Sequence, residues 1–64
     1  MTLDEADRRR IIDALDGLDD LHRRLILATF PAFVEWLTRT LPDVYARIAE
    51  IAARVWGYLR ELFL

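Results

Sequence analysis

From Leu41 to Leu62 the apolar residues return every three or four positions: Leu41, Val44, Ile48, Ile51, Val55, Tyr58 and Leu62. On an α-helix that spacing holds them on one face, whereas a strand would scatter them over both. Helix is therefore the structure this segment is built for. Tyr45, Ala52 and Leu59 widen the face on one side, and Ala49, Trp56 and Phe63 widen it further. On a helical wheel the apolar arc reaches about 160°, against a stripe of roughly 100° on an ordinary surface helix. A face that wide is expected to need contacts on two sides.

The first part of the chain repeats the pattern. Ile11, Ala14, Leu15, Leu18, Leu21, Leu25 and Ala28 are also spaced three and four apart. Thr2 and Glu5 have the spacing of a capping box, in which each side chain satisfies a free backbone N–H. One helix over about 3–29 is expected, with Gly17 as the point where a kink or break would fall. Pro31 and Pro42 punctuate the rest of the chain, because each lacks an N–H and fits best in a first helical turn. Thr29 and Thr40, two residues before them, are candidate N-caps. The spacing predicts a short second helix over about 31–39, carrying Phe33, Val34, Trp36 and Leu37, and a long third helix over about 42–63. The expected architecture is all-α: one domain, 1–64, as a helical hairpin or three-helix arrangement completed by oligomerisation.

Composition sharpens the question of contacts. Hydrophobic residues make up 55% of 64 positions, above the roughly 45–50% of an average domain. A core in so short a chain rarely supplies more than about 3–5 kcal/mol. The charge is uneven. Residues 1–24 hold seven acidic side chains and five Arg, while residues 25–64 hold four of each sign. The first segment reads as a solvated, ion-paired helix and the second as core and interface. The residues expected to meet a second chain are Val44, Ile48, Ile51, Val55, Trp56, Leu59, Leu62 and Phe63 of the third helix, with Trp36 of the second. The partner expected is another copy, a homodimer being favoured over a tetramer, or a second protein.

Arg8, Arg9, Arg10, Arg23 and Arg24 form the polar surface that a partner would see. Net charge is −2, and acidic residues stand three or four positions from these arginines, as in Asp4–Arg8, Glu5–Arg9, Arg10–Asp13, Asp19–Arg23 and Asp20–Arg24. Phosphate binding needs unpaired cations, so nucleic acid is disfavoured as a partner. One resemblance bears on it. The run Ala14-Leu15-Asp16-Gly17-Leu18-Asp19-Asp20-Leu21 and onward to Leu27 resembles the first helix of the promoter-binding region of sigma factors. Tyr45 to Ala52 is similar to a helix-turn-helix scaffold helix. That resemblance implies a small DNA-binding regulator, but the polar turn and recognition helix it requires are replaced by Ala53-Arg54-Val55-Trp56. A second alternative is a membrane-surface protein anchored by the third helix; its polar strip, however, lacks the excess cations that anionic lipid attracts. The longest weakly polar run, residues 25–37, is well short of the roughly 20 residues of a membrane span. The acidic N-terminus is unlike a secretory signal, so a cytoplasmic location is expected.

No catalytic residue, cofactor site or metal site is expected. Ser, Cys and Lys are absent, and no Gly-rich phosphate loop or zinc spacing occurs. His22 is the only histidine. It stands three residues after Asp19, a spacing that metal helices use, but one such pair is too few ligands. The lack of Lys and Asn beside abundant Ala, Arg, Asp and Leu fits a high-GC coding sequence, such as that of a bacterium or its phage. The function expected is a non-enzymatic helical interaction or regulatory module that self-associates through its C-terminal helix.

Overall fold

The first helical pattern breaks at Gly17, the point expected for it, and a carboxylate opens the next helix. In the computed structural model, which describes residues 3–64, α1 (Glu5–Asp16) and α2 (Asp20–Ala28) are separate helices. Gly17 keeps helical backbone, φ −76° and ψ −9°, and its N–H still reaches the Asp13 carbonyl at 3.1 Å. Asp19 leaves the helical region at φ −70° and ψ 164°, and its carboxylate accepts a 2.7 Å hydrogen bond from the His22 N–H. That is an N-cap, which satisfies a donor that α2 would otherwise leave free. Arg23 then reaches back to the end of α1. Its guanidinium donates to the Leu15 carbonyl at 2.9 Å and the Leu18 carbonyl at 2.8 Å.

These two local devices outweigh the apolar periodicity, so the single helix expected over 3–29 is two. The expected face is split as well. Ile11 and Leu15 are buried, Ile26 and Leu27 take the core positions of α2, and Leu21 and Leu25 are left 69% and 60% exposed. The capping box expected of Thr2 and Glu5 depends on Thr2, which lies outside the described residues; Glu5 itself pairs with Arg8. Asp19→Ala is expected to cost about 1 kcal/mol, the worth of a typical N-cap. Urea unfolding followed by circular dichroism reads it, and an unchanged midpoint would mean that the cap carries no stability.

The two prolines sit at the helix starts expected for them. Thr29 alone separates α2 from α3 (Phe30–Thr40), and its hydroxyl accepts from the Ala32 N–H at 3.3 Å. Leu41 alone separates α3 from α4 (Pro42–Ile48). Thr40 is not a cap; it ends α3, and Leu41 holds the N-cap position with no side-chain bond. The long C-terminal helix is interrupted. A 3-10 turn, Ala49–Ile51, lies between α4 and α5 (Ala52–Phe63), bracketed by Ile48 at φ −112°, ψ 8° and Ile51 at φ −114°, ψ 14°. No Gly or Pro falls there, so tertiary packing rather than a local breaker sets it. The change of phase buries Ala52 with Val44, Ile48, Val55 and Leu59, leaves Ile51 half-buried, and turns Leu62 out.

The short connectors fold successive helices back on one another. α3 packs against α2, α4 and α5, and α2 also packs against α5. Phe33 and Leu37 of α3 are fully buried at the centre of this arrangement. The radius of gyration is 10.5 Å, where a compact domain of this length has about 10.7 Å. The accessible surface is 4229 Å², where a folded monomer of this mass has about 4,250 Å². The chain therefore closes a core within itself. Its apolar surplus shrinks to a few located side chains: Leu21 and Leu25 on α2, and Tyr58, Leu62 and Leu64 at the end of the chain.

Candidate interaction surface

α2 is apolar on both sides. Ile26 and Leu27 face the core, and about half a turn round the helix stand Leu21, Leu25 and Ala28, all exposed. Residues 21, 25 and 28 fall within about 60° of arc at 100° per residue, so they form a ridge along the outer face. Asp20, His22 and Arg24 stand in the sectors between core face and ridge, so the ridge is an exposed apolar stripe with polar neighbours on each side. Shallow grooves flank the ridge. One runs between α2 and α3 and is lined by His22, Leu25, Ala32, Glu35, Trp36 and Arg39. The other lies where α2 meets the end of α5 and is lined by Arg24, Ala28, Arg60, Phe63 and Leu64.

The margins of the ridge carry unequal charge: Asp20 and Arg24 stand with Arg60 on the α5 side, and Glu35 and Arg39 with His22 on the α3 side. Asp20 and Arg24 pair along α2 at 3.1 Å, and Glu35 and Arg39 pair one turn apart along α3. This leaves an apolar strip edged by ion pairs, with Arg60 as an added cation on the α5 side.

The nine residues expected at an interface have different places. Val44, Ile48, Val55 and Leu59 are inside the chain's own core. Ile51, Trp56, Phe63 and Trp36 are half-buried and packed against that core. Trp56 is held there by a 3.0 Å hydrogen bond from its indole N–H to the Leu27 carbonyl and by Phe30, whose ring centroid lies 5.7 Å away. Leu62 alone of the nine is as much as half exposed, at 51%. The wide apolar arc is real, but α3 and α2 cover most of it from the same chain.

The five arginines also divide. Arg23 is structural: it holds the α1 carbonyls and lies over the Phe63 ring at 5.1 Å. Arg8 binds Glu5 and donates to the Tyr58 hydroxyl at 3.3 Å. Arg10 pairs with Asp43 on α4 at 2.6 Å instead of with Asp13. Arg24 pairs with Asp20 as expected, and Arg9 is exposed.

One site had no signal in the sequence. Asp7 of α1 is 3% exposed and takes a two-pronged ion pair from Arg47 of α4, at 2.7 and 2.9 Å. Arg47 also approaches Asp43, and Asp43 meets Arg10, so four alternating charges tie α1 to α4. The Arg47 hydrogen bonds hold the Asp7 carboxyl below its usual range despite burial, and Arg10 brings Asp43 down to about 2. Helical spacing links only neighbours three or four apart, whereas Asp7 and Arg47 are 40 positions apart.

Among the described residues no group of three or more His, Cys, Asp or Glu is placed to hold a metal ion. Nor does any buried side-chain nitrogen or oxygen there lack a hydrogen-bond partner. No helix among them is long and apolar enough to cross a membrane. The chain matches no protein-family model, no curated protein and no solved structure.

Proposed function

We propose that this chain is a non-enzymatic helical interaction module that self-associates, with the outer ridge of α2 as its contact surface. The observation that carries the reading is the exposure of Leu21 and Leu25 on a helix whose other side already fills the core. Apolar periodicity alone would put the contact on the C-terminal helix. Burial of Val44, Ile48, Val55 and Leu59 in the chain's own core favours α2 instead, with Leu62 as the remnant of that wider face.

The ridge also bounds the strength of the contact. Two copies would bury four leucines, each worth about 1–2 kcal/mol for the part now exposed. Against an association cost of at least about 4 kcal/mol, that leaves at most about 4 kcal/mol, a weak pair with a dissociation constant of roughly millimolar. Light scattering coupled to chromatography is therefore expected to give a mass that rises with concentration from 7.5 kDa towards twice that value. The double variant Leu21→Asp/Leu25→Asp should stay monomeric with unchanged helicity, since neither side chain supports the core. Dimerisation that survives this change but is lost in Leu62→Asp would return the contact to α5. A wild-type mass fixed at the monomer value up to millimolar concentration would remove the reading.

A further inference from the structure

We infer that α1 is an exchangeable arm: in the self-associated form α1 and α2 straighten into one helix, and each α1 docks on the core of the other copy. The exchange rests on the self-association proposed above and specifies how the second copy is held. It resolves a conflict between the sequence and the closed monomer. Seven apolar positions, from Ile11 to Ala28, keep three-and-four spacing straight through the break between α1 and α2. In one continuous helix they would share an arc of about 140°. In the closed monomer the bend spoils that face and leaves Leu21 and Leu25 in water.

Two devices hold the bend, the Asp19 cap and the Arg23 bonds to the Leu15 and Leu18 carbonyls, and straightening would hand those carbonyls to the N–H groups of the continuous helix. Gly17 is already helical and its N–H is already bonded to Asp13, while Asp19 is swung out to ψ 164°. Bringing this short linker to helical angles would extend α1 into α2. The straight helix, residues 5–28, would be about 36 Å long at 1.5 Å per residue. The whole closed molecule measures 30 Å along its longest axis. α1 would then project beyond its own globule, and Ile11 and Leu15, now fully buried, would have no core in their own chain. A second copy that has released its own α1 offers the matching site. There the same contacts re-form between chains, including Asp7 with Arg47 and Arg10 with Asp43, so little is lost by the trade. The Leu21–Leu25 ridge would lie beside the straightened hinge. The site that a released α1 leaves open fits the same helix of a second copy, which makes that copy the occupant.

The chain has no cysteine, which makes the exchange directly readable. Arg10→Cys and Asp43→Cys, introduced together, place thiols on an exposed pair that joins α1 to α4. At a concentration where the dimer is populated, the protein is treated with a short bifunctional thiol crosslinker and run under denaturing conditions. Exchange predicts covalent dimers; dimers held without exchange give crosslinks within single chains, and that result overturns the inference while leaving self-association standing. A protein that is monomeric at every concentration overturns both. Asp19→Ala, which removes the cap that holds the bend and favours a continuous helix, should raise the exchanged fraction about fivefold or more. An exchanged fraction that falls or stays level in this variant counts against the hinge.

Discussion

Phe33→Ala is expected to leave the chain largely unfolded at 25 °C. Phe33 is fully buried and sits on α3, the helix that touches α2, α4 and α5. Truncating a buried Phe to Ala typically costs about 3–5 kcal/mol, part from lost transfer energy and part from the cavity left behind. A single core in a chain this short supplies about the same amount. The two nearly cancel, so no reserve remains. Phe33→Leu keeps most of the volume and should cost about 1.5 kcal/mol or less, which preserves a cooperative transition. Circular dichroism and urea titration separate these outcomes. A Phe33→Ala protein with full helicity and a midpoint close to wild type would show that α3 is not the centre of the core. Leu62→Ala, on a half-exposed side chain, serves as the control with little effect.

How much of this fold is legible in the sequence depends on the range of the forces involved. The helical class is readable because period 3.6 and period 2 are distinguishable in any stretch of a dozen residues. Pro31, Pro42 and the Thr29 cap are readable because each acts within one turn. The break before α2 is harder. Asp19 and Arg23 are local signals for it, but they compete with an apolar pattern that runs on past Gly17, and the spacing alone does not say which wins. The interruption at Ala49–Ile51 carries no breaker at all, so only the packed structure reveals it. The places of the nine candidate interface residues are hard to read for a related reason. A wheel shows how wide an apolar arc is, not which neighbour covers it. Here α3 and α2, joined by single-residue connectors, close over Val44, Ile48, Val55 and Leu59. The pairing of Asp7 with Arg47 is the extreme case, since nothing within reach of either residue in the sequence anticipates it.

That pairing sets the acid stability of the fold. The Asp7 and Asp43 carboxyls are both held below their usual range, by hydrogen bonds from Arg47 and Arg10 respectively. A carboxylate with a depressed folded pKa binds fewer protons than its unfolded counterpart, so its stabilisation is fully present above the unfolded value near 3.9. It is lost as the pH falls through the folded value, about 2 for Asp43. The urea midpoint should therefore be flat from pH 8 to about 5 and fall steeply between about 4 and 2. Asp43→Asn should flatten part of that fall. Arg47→Met should change its sign. Asp7 would then be buried without the cation that now lowers its pKa, and desolvation alone would raise it above the ordinary range. A raised carboxyl pKa favours the folded state only once the group is protonated. The variant should be much less stable than wild type at pH 7 and should recover as the pH is lowered towards the new Asp7 value, before the remaining carboxylates fail. Midpoints for Arg47→Met that match wild type at pH 7 and decline with the same acid slope would mean that Asp7 reaches water without its partner, and that Ile11, Leu15 and the Arg10–Asp43 pair hold α1 without it.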